Sequence, residues 1–329
     1  MSAETGVPPR RRPRPLRAGV AALLRVAPQL RPSLEKLLWR GFYELASLRG
    51  ERGEAQRTGL MNYGYAPAAE GGAGDVGEGG AGDVAEGGAG DVGEGGAGLD
   101  ALADDGAGAG EDRYGLALYA AVAAPGELAG KQVLEVGCGR GGGAAYVFER
   151  FRPSSMTGVD LARTAIERCR RRYGRPGLTF QTGDAQSLPF ADQSFDAVIN
   201  VESSHCYPDM DAFLGEVRRV LRPGGKLLLA DFRPTAAGDG AHDGKDDVAA
   251  LHRQLEGAGL KVLEQEDITP AVLRALALAT PAVRMRVQRR VPAPLRRNAL
   301  EFSAIEGSAI YRRFAAGELT YLRLALERS

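Results

Sequence analysis

Residues 202–209 (ESSHCYPD) place a histidine and a cysteine side by side in a chain that contains three of each. Several kinds of chemistry use such a pair. Cys206 could be a nucleophile that His205 activates as a base, or His205 could form one half of a metal site. His205 could also act alone as a general base, because an imidazole titrates close to neutral pH. The simplest alternative is that His205 is a structural residue of a loop. The position of the segment among the surrounding strands and helices distinguishes these four alternatives.

The second feature that could form a ligand site is a glycine-rich turn. Residues 133–143 (VLEVGCGRGGG) begin in an apolar stretch, and Gly137 and Gly139 open both a GxGxxG and a GxGxG pattern. Such a turn between a strand and a helix forms a ligand site at the carboxyl edge of a parallel sheet. Asp160 follows Gly137 by 23 residues, at the end of the next predicted strand. There a carboxylate can accept hydrogen bonds from both ribose hydroxyls. On these features NAD and S-adenosylmethionine both fit.

Three further features favour S-adenosylmethionine. Glu135 precedes the turn, where its charge would repel a pyrophosphate but not a sulfonium cation. Asp184 and Ala185 follow the third predicted strand, where a carboxylate can accept from an adenine amino group and a backbone N–H can donate to the ring. In addition, a single sheet with an antiparallel final strand leaves no room for a second dinucleotide-type half.

The elements that position these residues alternate between strands and helices. Strands are predicted at 131–136, 155–160, 178–183, 195–201, 226–232, 260–267 and 318–328. Helices are predicted at 142–151, 161–174, 210–225 and 246–257, followed by several with an apolar face up to about residue 316. The alternation predicts an α/β fold with a mostly parallel sheet covered on both faces. The final strand arrives without a crossover helix, so we expect it to be antiparallel.

The N-terminal third is organised differently. Residues 1–32 are predicted to be a disordered basic tail, which could touch anionic lipid, and 33–67 a helical segment with an amphipathic helix at 33–48. Residues 68–110 contain an octapeptide repeat (EGGAGDVG) rich in Gly, Ala and acids, which we interpret as a disordered insertion because it can bury little apolar surface. Residues 111–329 are predicted to form the catalytic domain.

Composition excludes several classes of protein. The formal net charge is zero, so nothing global indicates binding to nucleic acid. Three cysteines without a CxxC motif argue against a disulfide framework or a structural zinc site and favour a reducing cytoplasm. The apolar run at 18–24 is too short to span a bilayer and makes an unconvincing secretory signal. No metal is predicted.

Four segments carry a resemblance to a known family: 133–141 (VLEVGCGRG), 158–160 (GVD), 183–203 (GDAQSLPFADQSFDAVINVES) and 221–232 (LRPGGKLLLADF). Over residues 114–329 they resemble class I S-adenosylmethionine-dependent methyltransferases. This implies their Rossmann-like fold with a helical N-terminal lid.

A closer likeness is to the phthiotriol/phenolphthiotriol dimycocerosate methyltransferases, which O-methylate long-chain polyketide-derived lipids. It is carried by 61–65 (MNYGY), 201–208 (VESSHCYP) and 251–269 (LHRQLEGAGLKVLEQEDIT). Natural-product sugar O-methyltransferases are also similar. The insertion and the Arg/Pro-rich N-terminus depart from the pattern without touching a motif.

The resemblance implies a role for individual residues. His205, after the fourth strand, is the implied base, and Asp231, at the end of the fifth, orients it or holds the acceptor hydroxyl. Near the cofactor, Gly137 and Gly139 let the methionine part approach the backbone. Asp160 binds the ribose, and Asp184 accepts a hydrogen bond from adenine. The complete set implied to bind S-adenosylmethionine is Tyr63, Glu135, Gly137, Gly139, Asp160, Leu161, Asp184, Ala185, Asn200 and Glu202. Within it, Asn200 and Glu202 border the sulfonium, and Tyr63 belongs to the lid.

The acceptor side is less defined. Nine apolar or aromatic residues could line an acceptor pocket or form a core face instead, namely Phe42, Tyr43, Tyr65, Tyr207, Phe302, Ile305, Ile310, Tyr311 and Phe314. We expect an O-methyltransferase acting on a hydroxyl of a polyketide-like, lipid-like or glycosylated secondary metabolite. The alternatives are C- or N-methylation, cofactor binding without catalysis, or an NAD oxidoreductase.

Overall fold

The computed structural model describes residues 62–67, 112–235 and 247–329. The predicted basic tail at 1–32, the predicted helix at 33–48 and the repeat insertion at 68–110 lie outside the described residues. These domain assignments therefore stay predictions. Of the predicted N-terminal lid, only 62–67 is described.

The described chain folds into seven strands and eight α-helices in the order α1, β1, α2, β2, α3, β3, β4, α4, β5, α5, β6, α6, α7, α8, β7. The strands are β1 Gln132–Val136, β2 Ser155–Asp160, β3 Leu178–Thr182, β4 Phe195–Val201, β5 Leu221–Pro234, β6 Leu260–Asp267 and β7 Leu319–Arg328. The helices are α1 Asp112–Ala123, α2 Gly142–Phe151, α3 Arg163–Tyr173, α4 Met210–Val220, α5 Val248–Gly257, α6 Thr269–Arg290, α7 Ala293–Phe302 and α8 Ala309–Ala315.

These strands form one sheet in the order β3-β2-β1-β4-β5-β7-β6. The first five pair in parallel, and β7 pairs antiparallel with both β5 and β6. The predicted fold class, a mostly parallel sheet with an antiparallel last strand, is confirmed. In this order the carboxyl ends of β1, β2, β4 and β5 meet at one edge.

The helix predicted over 210–225 is shorter in the structure. It ends at Val220, and Leu221 already pairs with Phe195 as the first residue of β5. The Pro-Gly-Gly turn behind it bends the strand, and Gly224 adopts a positive φ of +73° that disfavours other residues. The turn is thus part of the sheet and not the end of the helix.

Two apolar layers cover the sheet, as expected for buried parallel strands. One contains α1, α2 and α3 residues with Tyr321 of β7, and the other contains the buried face of α4 around Phe213. Cys169 is fully buried in the first layer. No helix within 62–67, 112–235 and 247–329 has the length and apolarity that crossing a bilayer requires.

Candidate active site

A cleft opens at the carboxyl edge of the sheet. Its walls come from the glycine turn after β1, the end of β2, the loop after β3 and the loop after β4. Seven of the twelve residues that the sequence singled out line it: Gly137, Gly139, Asp160, Leu161, Asp184, Ala185 and Glu202. Asn62, Cys138, Ser203, Cys206 and Tyr207 line it as well.

The glycine turn is packed so closely that larger residues are excluded. Gly137 has a φ of +77°, and a Cβ there would collide with the side chain of Ser203. Its N–H donates to the carbonyl of Val159 at 2.8 Å, which fixes the turn against β2. The backbone of the turn therefore forms the cleft wall directly, as a ligand that approaches main-chain atoms requires.

Asp160 is held at the cleft by two backbone groups. Its carboxylate accepts from the N–H of Gly139 and the N–H of Ala162, each at 2.9 Å. These bonds fix the orientation of the carboxylate, and a carboxylate has about four acceptor positions, so it can also accept from a bound ligand. Asp160 thus joins the glycine turn to the predicted ribose position.

Asp184 and Ala185 lie where the sequence predicted, in the loop after β3. Asp184 accepts from the N–H of Gln186 at 3.1 Å and forms an isolated bridge with Ser187. This small turn presents the carboxylate and the backbone of Ala185 to the cleft.

Asn200 lies beneath the cleft and does not line it. Its side-chain amide donates to the carbonyl of Val136 at 2.9 Å and to the hydroxyl of Tyr207 at 3.1 Å. Tyr207 in turn is 2.7 Å from the hydroxyl of Ser203. Burial raises the pKa of Tyr207, so the phenol stays protonated. Asn200 therefore supports the floor of the cleft through Tyr207.

Glu135 also lies below the cleft. It is fully buried, and its carboxylate accepts from the hydroxyl of Tyr119 at 2.6 Å. Burial raises the pKa of Glu135 to about 7, although the hydrogen bonds from Tyr119 and from the backbone of Ala144 lower it. Tyr119, on α1, lines the cleft itself. Glu135 therefore contacts one side chain of the cleft wall, Tyr119, and does not line the cleft itself.

Glu202 is the carboxylate between the N-terminal segment and the cleft. It accepts from the N–H of Tyr63 and from the hydroxyl of Tyr321, both at 2.7 Å. Burial raises the pKa of Glu202 to about 7, against the lowering effect of these two hydrogen bonds. Its backbone has a positive φ of +46°, a conformation that non-glycine residues rarely adopt outside constrained sites. Tyr63 thus contacts the site through its backbone.

His205 and Asp231 form the predicted pair. Nδ1 of His205 is 2.7 Å from one carboxylate oxygen of Asp231, and the backbone N–H of His205 donates to the other at 2.9 Å. An ionised carboxylate only accepts hydrogen bonds, so Nδ1 carries the proton and Nε2 is the nitrogen for acid–base work. Burial lowers the pKa of His205, but the charge of Asp231 and the hydrogen bond to it raise that pKa well above its usual value.

A buried arginine completes this arrangement. Arg233 is 2% exposed, lies 3.4 Å from the carboxylate of Asp231 and donates to the hydroxyl of Ser204 at 2.7 Å. Ser204 donates in turn to Asp231 at 2.6 Å. Burial raises the pKa of Asp231, but the charges of His205 and Arg233 more than offset this and hold it below its usual range. Asp231 is therefore a carboxylate at any physiological pH.

Aromatic rings pack around the pair. Phe232 lies 4.5 Å from the imidazole of His205, measured between ring centroids, and stacks on Tyr63 at 5.8 Å. Phe314 contacts both Phe232 and Tyr63 edge-on. Of the nine candidate acceptor residues, Phe314 is thus a core residue beside the site, whereas Phe302 is 65% exposed. Phe42 and Tyr43 lie outside the described residues.

Sequence reasoning missed Tyr119, Tyr321, Ser204 and Arg233. Tyr119 and Tyr321 stand on elements far from the motifs in sequence, so no local spacing pointed to them. Arg233 follows Asp231 by two residues, and two buried charges at one strand end are a signal that could have been used. No three His, Cys, Asp or Glu side chains within the described ranges converge as metal ligands would.

Comparison with known proteins agrees with this geometry. A family model described as a methyltransferase domain matches residues 134–229. The chain is 43% identical over 210 residues to the phthiotriol/phenolphthiotriol dimycocerosates methyltransferase of Mycobacterium tuberculosis, which covers 64% of this chain and 74% of the relative. It is 48% identical over 185 residues to the fatty-acid O-methyltransferase of Mycolicibacterium smegmatis. This alignment covers 56% of this chain and 64% of that relative.

A solved structure shows the same fold. The crystal structure of geranyl diphosphate C-methyltransferase from Streptomyces coelicolor A3(2), in complex with Mg²⁺, geranyl diphosphate and S-adenosyl-L-homocysteine, matches with a TM-score of 0.53 at 18% identity. The match covers 66% of this chain and 81% of that one. At this identity the likeness concerns the fold alone.

Proposed function

The chain belongs to the class I S-adenosylmethionine-dependent methyltransferases, and from this premise we propose that it methylates an oxygen of a lipid-like or polyketide-like acceptor. The observation that carries the proposal is the His205–Asp231 pair beside the cleft. An alcohol is a poor nucleophile until its proton leaves, and an imidazole oriented by a carboxylate is suited to take that proton.

The cleft residues fit S-adenosylmethionine. The exposed backbone of the glycine turn at Gly137 would accommodate the methionine part, and Asp160, with acceptor positions left after its two backbone bonds, would hold the ribose. Asp184 and Ala185 would hold the adenine, and Glu202 would face the sulfonium. When bound, the cofactor supplies an electrophilic methyl group on a positively charged sulfur.

Asp160 provides a direct test of the ribose assignment. Asp160→Asn keeps the shape of the side chain but removes its charge, and charge-assisted hydrogen bonds contribute about 1.5–3 kcal/mol. We expect the Kd for S-adenosylmethionine, measured by calorimetry, to rise by roughly 10–100-fold. Asp211→Asn, on α4 and outside the cleft, is the matched control. Unchanged affinity in Asp160→Asn would remove the ribose assignment.

The charge of Glu202 bears on cofactor binding through its protonation. With a pKa of about 7, Glu202 is ionised above neutral pH and protonated below it. The ionised form attracts a sulfonium, whereas S-adenosylhomocysteine carries a neutral sulfur. A preference for S-adenosylmethionine over S-adenosylhomocysteine should therefore be present above pH 7 and fade as the pH falls through 7.

Glu202→Gln isolates this charge, because glutamine can still accept from Tyr63 and Tyr321. We expect the Kd for S-adenosylhomocysteine divided by the Kd for S-adenosylmethionine to be about tenfold higher at pH 8 than at pH 6 in the wild type, equivalent to about 1.4 kcal/mol. In Glu202→Gln the ratio should stay low and flat. A variant that keeps the wild-type pH dependence would assign the effect to another group, such as His205.

The acceptor class rests on the two curated relatives, whose names refer to dimycocerosates and to a fatty acid. The aromatic packing of Phe232, Tyr63 and Phe314 next to His205 is compatible with an apolar acceptor. The test is transfer of labelled methyl groups from S-adenosylmethionine into a fractionated lipid extract, followed by mass spectrometry of the product. The proposal expects label on oxygen in the apolar fraction. Label on carbon or nitrogen, or only in polar fractions, would contradict it.

A further inference from the structure

Helices α6 and α7, here called the helical hairpin, carry a strong positive charge. Residues 269–302 contain seven arginines and one acidic residue, Glu301, so their formal net charge is +6. The hydrogen bonds of Arg274, Arg284 and Arg296 run to backbone carbonyls and not to carboxylates. Backbone carbonyls carry no formal charge, so these hydrogen bonds do not neutralise the three arginines.

The same hairpin exposes large apolar side chains. Of six such side chains in the described ranges, four belong to it: Leu278, Met285, Leu295 and Phe302, each 51–65% exposed. Leu278 and Met285 are seven residues apart and share one face of α6. Val272, Leu276 and Val283 are buried on the opposite face. The exposed apolar face is thus distinct from the face that packs on the protein.

The combination differs from that of an ordinary surface helix, whose outward face is polar. Arg274 and Arg289 lie at i−4 from Leu278 and i+4 from Met285, so the outward face of α6 alternates cationic and apolar groups. Helices that lie in a membrane interface have this composition, with Arg or Lys beside Leu, Met or Phe. Their charge is complementary to anionic lipid headgroups.

One arginine of the hairpin lies near a wall of the cleft. Burial lowers the pKa of Arg140, and the charges of Arg168 and Arg286 lower it further. Arg140 stands in the glycine turn and lines the cleft, whereas Arg286 belongs to α6. Arg286 therefore lies close enough to Arg140, in the wall of the cleft, to affect it electrostatically.

We propose that the helical hairpin is a docking surface for anionic phospholipid membranes, with Leu278 and Met285 inserted among the headgroups and the arginines contacting phosphates. Docking through this surface would hold the cleft close to the bilayer. The inference stands on charge and exposure and does not depend on which atom of an acceptor is methylated.

The test is co-sedimentation of the full-length protein with phosphatidylcholine vesicles, with and without phosphatidylglycerol. We expect binding that requires phosphatidylglycerol. Leu278→Ser/Met285→Ser and Arg289→Gln/Arg297→Gln should each lower the partition coefficient by about tenfold or more, because each basic residue near an anionic surface contributes severalfold. Loss of binding in the apolar variant separates lipid from nucleic acid, which would not need Leu278 and Met285.

Matched controls remove equivalent groups elsewhere. Val262→Ser/Leu263→Ser removes two exposed apolar side chains from the edge strand β6, beside the acidic Glu264. Arg171→Gln/Arg253→Gln removes two exposed arginines from other helices. Both controls should bind vesicles like the wild type, and both hairpin variants should methylate a detergent-solubilised acceptor at the wild-type rate.

Three results would overturn the proposal. The first is wild-type binding without preference for phosphatidylglycerol. The second is wild-type vesicle binding by both hairpin variants, which would move the contact to another surface such as the basic residues 1–32. The third is a dimer of the wild-type chain in solution that Leu278→Ser/Met285→Ser converts to a monomer with unchanged vesicle binding, which would assign the face to a second copy.

Discussion

Replacing His205 with alanine should lower the turnover number by about 10²–10⁴-fold, the usual contribution of a positioned acid or base. The Kd for S-adenosylmethionine should be unchanged, because His205 does not line the cleft. The reason for the loss is that the other described side chains beside Asp231, those of Ser204 and Arg233, carry no basic nitrogen that could accept the proton. The measurement is the rate of methyl transfer at saturating cofactor, with calorimetry for the affinity.

Two variants separate base catalysis from packing. His205→Phe keeps an aromatic ring against Phe232 but has no proton acceptor, so it should be as slow as His205→Ala. His252→Ala removes a histidine that is hydrogen-bonded to Gln265, away from the cleft, and should turn over normally. A near-wild-type rate in His205→Phe would mean that the ring only holds the acceptor in line.

The pH dependence follows from the same pair. A base must be neutral to accept a proton, and the pKa of His205 lies well above its usual value. The active, neutral form therefore increases as the pH rises through that raised pKa, and turnover should climb from neutral into alkaline pH. The stability contributed by the ion pair has the opposite dependence. It is fully present below the ordinary histidine pKa and is lost as the pH rises through the raised value.

The sequence was sufficient to predict the sheet and many of the residues that line the cleft, because both depend on local order. The residues of interest lie at or near the carboxyl ends of their strands, and parallel strands bring these ends together. Gly137 and Asp160 are therefore neighbours in space as soon as β1 and β2 are recognised as adjacent. The same rule places Asp231 near His205, since β4 and β5 pair.

The parts that could not be predicted depend on long-range register. Tyr321 reaches Glu202 because β7 pairs antiparallel with β5 so that Tyr321 stands opposite Phe232. A shift of this register by one residue would turn Tyr321 to the other face of the sheet. Nothing in the sequence near Glu202 specifies that register.

The region from 302 to 314 shows a second limit. Helical spacing predicts which apolar residues share a face, but it does not predict which element packs on that face. Phe314 packs into the aromatic group around Phe232, whereas Phe302 is exposed on the helical hairpin. Residues of the same type, on neighbouring helices, thus have opposite environments.

Asp231→Asn should have the second large effect, because it disturbs both catalysis and folding. Asparagine can donate its amide N–H to Nδ1 of His205, and the imidazole proton can then lie on Nε2. The tautomer in which Nε2 is the proton acceptor is therefore no longer fixed. We expect turnover to fall by about 10² or more. The charge of Asp231 also raises the pKa of His205, so the remaining activity should rise at lower pH than in the wild type.

The same substitution leaves Arg233 buried without its carboxylate. Removing one partner of a buried ion pair costs about 3–5 kcal/mol in the free energy of unfolding. The lowered pKa of Asp231 means that this stability is present at all pH values above the ordinary aspartate pKa and is lost only in acid. Urea denaturation at pH 7 should therefore show the full loss for Asp231→Asn.

The double variant Asp231→Asn/Arg233→Met separates the two effects. Replacing both members of a buried pair is often neutral for stability, so it should recover most of the free energy of unfolding. It should not recover turnover, because His205 still lacks its carboxylate. If the double variant regains both stability and turnover, the loss in Asp231→Asn was one of folding alone, and Asp231 has no part in orienting the base. If it regains stability but stays slow, with its pH profile moved to lower pH, the pair acts in catalysis and Arg233 serves to keep the carboxylate ionised where His205 needs it.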